Sequence, residues 1–199
     1  MAVAERTRPP VSPPVEEPAP YTPADFERIA AIYPDLRIEL TQEGELILRP
    51  PTFTETGMRN FRLTVRFGAW SEANGLGIGS DSSTAFTLPN GAKRSPDLSW
   101  VRKSRWDALA EEEQKDFALI CPDFVAELRP KTDRLSAVQE KMQEYMDNGA
   151  RLGWLIDPES NRVEVYRPGQ DVEVLDNPAS LSGEDVLPGF TLDLKGILE

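Results

Sequence analysis

The chain has no histidine and a single cysteine, Cys121. Without histidine, the Ser-His-Asp and Cys-His machineries are absent in their usual forms. Histidine-ligated zinc and histidine-based nuclease sites are excluded with them. One cysteine cannot close an internal disulfide, and with no histidine beside it a structural zinc site is out as well. A lone thiol fits a reducing compartment, so a cytoplasmic location is expected. No window approaches the ~18 consecutive apolar residues of a membrane span. The N-terminal stretch also lacks the apolar core of a secretory signal. Any hydrolytic chemistry must therefore run on carboxylates, lysine, hydroxyls or a metal held by oxygen.

What is present is ordinary for a globular protein: 199 residues, 39% hydrophobic and 28% charged. That length favours one domain with a real core. The net charge of −12 argues against indiscriminate nucleic-acid binding, which needs a positive footprint. A local exception lies between residues 92 and 105, where Lys93, Arg94, Arg102, Lys103 and Arg105 face one acid, Asp97. Charge alone reads this cluster as a solvated strand end, or as a local basic groove.

Residues 1–20 hold six prolines and almost no bulky apolar side chain, which predicts a disordered tail. Order is expected over 21–199. A first helix starts with Thr22 as N-cap, Pro23 in the first turn and Asp25 completing a capping box, and Pro34 ends it. Leu36, Ile38 and Leu40 alternate with polar residues, and a Glu-Gly turn leads to Leu46 and Leu48, a hairpin. Residues 54–74 read as a long helix capped by Thr54 and stopped by Gly75, with Met58, Phe61, Val65 and Ala69 at helical spacing. Two strand-like stretches, GIGSDSSTAFTL and SPDLSWVRK, flank a Pro-Asn-Gly turn. A short acidic helix follows, then the nearly continuous apolar run LICPDFVAEL, typical of a central strand. A helix from about Thr132 to Asn148 carries Leu135, Val138, Met142, Tyr145 and Met146 on one face, and Gly149 stops it. Further strands are RLGWLID, NRVEVYRPG and DVEVLDN. The order predicts an α/β sheet with helices on both faces.

Asp97 opens one of these strands and Glu127 lies near the end of another. If the two strands are neighbours, both carboxylates converge at one end of the sheet. Close buried carboxylates repel and take up protons unless a cation is shared. A hard ion such as Mg²⁺ accepts one or two carboxylates, with waters and substrate phosphates completing its shell. The bland reading has Asp97 capping a turn and Glu127 paired with an arginine. On the following helix Lys141 falls about 60° from Val138, flanking Met142 and Tyr145. Its stem can run along the apolar surface and bring the ammonium to the sheet. The bland alternative is a surface lysine paired with an acid a turn away.

The segments SPDLSWV, FVAELRPKTDRLSAVQEKMQEYMDNGARLGWLIDP and VEVYRPG resemble the Uma-two family of endonucleases. That family belongs to the restriction-endonuclease-like PD-(D/E)XK superfamily. The resemblance runs from about residue 22 to 199 and includes ETGMRN at the head of the long helix. It implies a central mixed β-sheet flanked by α-helices and Mg²⁺- or Mn²⁺-dependent hydrolysis of DNA phosphodiester bonds. It implies Asp97 and Glu127 as metal ligands, with the Leu128 carbonyl as a third. Two residues beyond Glu127, where the superfamily has lysine, this chain has Arg129, a broad and permanently charged fork. The match implies that Lys141 takes the lysine's place, with Gln139 and Tyr145 in support and Glu55 as an additional acid. Lys93, Arg94, Arg102, Arg129 and Lys131 are expected at backbone phosphates, and a homodimer would suit cutting of both strands. Two readings stand beside this one: a catalytically silent interaction domain of the same fold, and a nuclease acting on RNA or a nucleotide.

Overall fold

The structure, a computed structural model, describes residues 19–199. The expected proline-rich tail over 1–20 lies outside the described residues except for its last two positions. Helix α1 (Pro23–Ile32) begins with the expected capping box: the Asp25 N–H donates to Thr22 Oγ1 at 3.2 Å and the Thr22 N–H to Asp25 Oδ2 at 3.0 Å. Phe26 anchors this helix on Ile38 and Leu40. Strands β1 (Ile38–Leu40) and β2 (Leu46–Leu48) form the antiparallel hairpin.

Helix α2 (Thr54–Asn74) runs as expected to Gly75, whose φ of 62° is the left-handed conformation that a helix-stopping glycine adopts without strain. Two details differ from expectation. Phe53, not Thr54, occupies the N-cap and makes no side-chain capping bond. Met58, Phe61 and Val65 point to solvent, while Leu63 and Phe67 form the buried stripe, with Trp70 half-buried beside it. Both sets have helical spacing. The bulk of Phe67 and Trp70, which fit against Phe124, Trp100 and Phe190, decides which face is buried.

The chain then alternates between two sheets. Strands β3 (Gly77–Asp81) and β6 (Leu98–Arg102) belong to the large sheet, and β4 (Phe86–Thr87) and β5 (Lys93–Arg94) to a small one. The first strand-like stretch, GIGSDSSTAFTL, is thus cut into β3 and β4, while the second, SPDLSWVRK, holds β6 alone and β5 precedes it. The acidic helix is likewise split into single turns, α3 (Lys103–Trp106) and α4 (Glu111–Gln114). Strand β7 (Phe124–Leu128), helix α5 (Leu135–Asp147) and β8 (Leu152–Asp157) form a parallel β-α-β unit. Strands β9 (Arg162–Tyr166) and β10 (Glu173–Asp176) extend it antiparallel, and a separate ribbon of β11 (Ser180–Ser182) and β12 (Thr191–Asp193) follows.

The large sheet has the order β10-β9-β8-β7-β6-β3, and only β7 and β8 run parallel. Every residue of β7 and β8 is buried, as expected of strands covered on both faces. Phe124, Ala126 and Leu128 face α2 and the C-terminal segment through Phe190 and Leu192. Val125 belongs to the opposite layer with Val138, Met142 and Tyr145 of α5. Period-2 alternation therefore turns Glu127 toward α5. The small sheet, β2-β1-β5-β4, stands beside that same layer and carries Glu39 inward.

Candidate active site

Strands β6 and β7 pair antiparallel with Leu98 opposite Ala126, so one step further Asp97 stands opposite Glu127. Directly opposed residues share a face, and both carboxylates line one cavity of about 790 Å³. The Leu128 N–H donates to Asp97 Oδ2 at 2.8 Å, locking the Asp97 side chain across the end of the sheet. Lys141 enters from α5, its Nζ 2.7 Å from Glu127 Oε1. The Tyr145 hydroxyl, one helical turn further on, donates to the same oxygen at 3.2 Å. Glu127 Oε2 has no hydrogen bond among the described residues.

Lys141 also contacts Glu39 Oε1 at 2.7 Å and donates to the Ser95 carbonyl at 3.1 Å. Glu39 is 1% exposed. It is ringed by Arg49 at 3.1 Å, Arg94 at 3.3 Å and the Ser95 N–H. Burial alone would raise its carboxyl. Lys141, Arg49 and Arg94 outweigh that effect and hold it at about 2.

Glu127 behaves in the opposite way. Burial pushes it up to about 7, with Asp97 and Glu39 adding to the rise against Lys141. Burial raises Asp97 too, in spite of the Leu128 N–H. Burial would discharge Lys141, but Glu127 and Glu39 keep it above the ordinary lysine value. The site therefore holds a fixed cation beside two opposed carboxylates that one ammonium does not satisfy.

Among the described residues, no group of three or more His, Cys, Asp or Glu is gathered to hold a metal ion. The donor set still fits a hard divalent cation with a largely open shell. Asp97 Oδ1 meets only Asn60 Nδ2, at a long 3.5 Å, and Asn60 Oδ1 is buried without a partner among the described residues. Asp97 and Glu127 both line the cavity, and the one ammonium beside them, Lys141, contacts Glu127 through Oε1 and leaves Oε2 without a hydrogen bond among the described residues. Leu128 lines the same cavity.

The other expected residues divide clearly. Glu55 is 74% exposed and paired with Arg59, outside the main cavity. Its place in the first turn of α2 turns it outward, and Asn60 is the α2 residue that meets Asp97. Gln139 donates to Glu164 at 2.7 Å and does not reach Lys141. Lys93 is buried, held by Glu27 and Thr87 between the rings of Phe26 and Phe117. Arg94 is buried on Glu144 and Glu39. Neither reaches a phosphate on the surface. Arg102 lies at the end of β6 remote from Asp97, and Arg129 is engaged with Asp157 at 2.9 Å. Lys131 stays exposed, its Nζ 4.9 Å from the Phe53 ring at the cavity wall.

The sequence reading missed Glu39, Arg49 and Asn60. Glu39 sits between two apolar residues of a hairpin strand, where alternation assigns it to solvent. Its only available signal was the hairpin's own need for a neighbour, because two strands alone are not stable in water.

This architecture is a restriction-endonuclease-like α/β fold, a mixed sheet flanked by helices with an acid pair at the end of adjacent strands. The chain belongs to the Uma2 family, described as "Putative restriction endonuclease", whose family model matches residues 23–195. It is similar in structure to a protein of Anabaena variabilis ATCC 29413, described as a "putative nuclease belonging to DUF820". The TM-score is 0.75 at 23% identity, over 90% of this chain and 98% of that one. At that identity the likeness is one of fold. No curated protein matches the chain. Among the described residues, no helix is long and apolar enough to cross a membrane.

Proposed function

We propose that the chain is a divalent-metal-dependent nuclease that hydrolyses DNA phosphodiester bonds at the Asp97–Glu127–Lys141 site. The observation that carries this reading is the opposed pair Asp97 and Glu127, both lining one cavity, with a charged lysine fixed beside Glu127. Asp97 Oδ1, Glu127 Oε2 and the Leu128 carbonyl are the groups to hold Mg²⁺ or Mn²⁺. Bound there, the ion supplies Lewis-acid polarisation of a phosphate and a water acidified to near-neutral pKa.

The residues of the chain do the rest. The Leu128 N–H holds Asp97 in place, and Tyr145 orients Glu127. With the N–H that now faces Glu127 turned to the substrate, Lys141 donates to a phosphate oxygen as negative charge builds up in the transition state. Glu39 keeps that ammonium protonated and in position, because its own carboxyl stays ionised. Lys141 therefore acts as a charge and a hydrogen-bond donor. Fold membership alone does not establish chemistry, so the test is direct. Purified protein is incubated with single-stranded and supercoiled DNA in Mn²⁺ or in chelator, beside Glu127→Gln. Metal-dependent cutting lost in Glu127→Gln supports the assignment. No cutting, together with no Mn²⁺ uptake by calorimetry, identifies a silent interaction domain.

A further inference from the structure

The cavity that holds the acid pair is deep, and its walls come from the α1–β1 connection, the β3–β4 loop, the residues leading into α2 and the β7–α5 loop. Glu127 and Lys141, 8% and 6% exposed, lie well inside it. Its volume of about 790 Å³ is within the range of small-ligand pockets, roughly 300–1,000 Å³. A stacked duplex presents its phosphates on the outside of a stiff cylinder and cannot place one at the bottom of such a recess. A strand with its bases unpaired can. Enzymes that act on an enclosed nucleotide take it out of the stack for the same reason.

Two further features agree. The lining of the cavity also includes the apolar side chains of Ala30, Pro34, Leu36, Ala85 and Phe117, which suit a base rather than a phosphate. Phe53 lies on the wall of the same cavity, 53% exposed, with the exposed Lys131 ammonium over its ring. An exposed aromatic beside a free cation is the pairing that single-strand binding uses: the ring stacks a base and the cation meets the adjoining phosphate. The duplex footprint is correspondingly poor. The chain carries a net charge of −12, and Lys93, Arg94 and Arg129 are engaged inside the fold. Affinity here must come from stacking more than from a broad electrostatic patch.

We infer that the substrate is DNA with its bases unpaired, a single strand or a frayed end. One base lies against the apolar lining of the cavity and its neighbour stacks on Phe53. This rests on the nuclease reading above and narrows its substrate class. The test uses the full chain with a labelled DNA oligonucleotide, its blunt duplex and the RNA strand of the same sequence. Binding is read by fluorescence anisotropy in Ca²⁺ and cutting in Mn²⁺. The DNA strand is expected to bind and to be cut at least about tenfold better than the duplex, and Phe53→Ala to lose about tenfold on the strand alone. Phe53→Trp, which keeps the stacking face, should retain parental affinity. Duplex cut as well as the strand, preference for the RNA strand, or a Phe53→Ala effect equal on strand and duplex overturns the inference and leaves the nuclease reading standing. Failure of every nucleic acid to bind or be cut overturns both.

Discussion

Lys141 Nζ stands 2.7 Å from Glu39 and 2.7 Å from Glu127, so one ammonium joins the small sheet to the large one. The contact with Glu39 spans 102 positions of sequence. It leaves Lys141 anchored even when Glu127 turns its charge to another cation. Lys141→Ala should lower single-turnover cutting by roughly 10²-fold, the usual scale for losing one transition-state donor. Mn²⁺ affinity by calorimetry should persist. Lys141→Met, which keeps the apolar stem, separates lost charge from lost packing. Parental cutting rates in both variants would remove Lys141 from the chemistry.

The two glutamates beside that ammonium should pull stability in opposite directions with pH. Glu39 is held at about 2 against an ordinary 4.5, so its contribution is complete above 4.5 and is lost as pH falls toward 2. Glu127 is raised from 4.5 to about 7, so its cost is absent below 4.5 and grows as pH rises through 7. In chelator, the melting temperature should therefore decline between about pH 5 and pH 8. Glu127→Gln should flatten that decline, and Mn²⁺ should raise the melting temperature more at the upper end. An unchanged slope in Glu127→Gln would show that another group sets it.

The part of this arrangement legible in the sequence is the part carried by one β-α-β unit. Strand alternation turns Glu127 toward the following helix, and helical spacing brings Lys141 and Tyr145 back over it. The position of Asp97 beside Glu127 needed only that their two strands be neighbours. Glu39 was not legible, because its burial depends on β1 pairing with β5, whose two residues fall outside the strand-like stretches of the sequence. The same short strand holds Lys93 and Arg94, which look like a basic surface cluster but are drawn inside by Glu27, Glu144 and Glu39. On α2 two apolar stripes compete, and only the tertiary neighbours of Phe67 choose between them.

Cys121 offers a check on the second layer of the core. Burial pushes its thiol up to about 12, and its Sγ donates to the Tyr145 carbonyl at 3.4 Å. The thiolate is the reactive form. The native protein should therefore leave an aromatic disulfide reagent unreacted at mildly alkaline pH and take up one equivalent after unfolding in guanidinium. Fast reaction in the native state would mean that α5 opens readily over β7, which is inconsistent with a fixed Lys141.

Arg129 provides the sharpest separation between a binding role and a structural one. Its position two residues after Glu127, read from sequence, points to a phosphate contact. In the fold its Nε meets Asp157 Oδ1 at 2.9 Å, and its Nη1 donates to the Asp133 carbonyl at 2.9 Å. Asp157 is 3% exposed and also accepts from Ser160 Oγ at 2.6 Å, so the guanidinium neutralises a buried charge at the end of β8. Asp133 in turn meets Arg49 at 3.3 Å, which ties the β7–α5 loop to the ring around Glu39. Removing Arg129 strands Asp157 and loosens that loop. Arg129→Ala should cost about 1–3 kcal/mol in chemical denaturation, the range for leaving a buried acceptor unsatisfied. The salt dependence of DNA affinity should stay parental, because no phosphate contact is lost. Arg129→Lys should recover part of the stability through one point contact to Asp157 but not the fork. A variant of parental stability whose salt slope falls by about one would return Arg129 to the DNA interface.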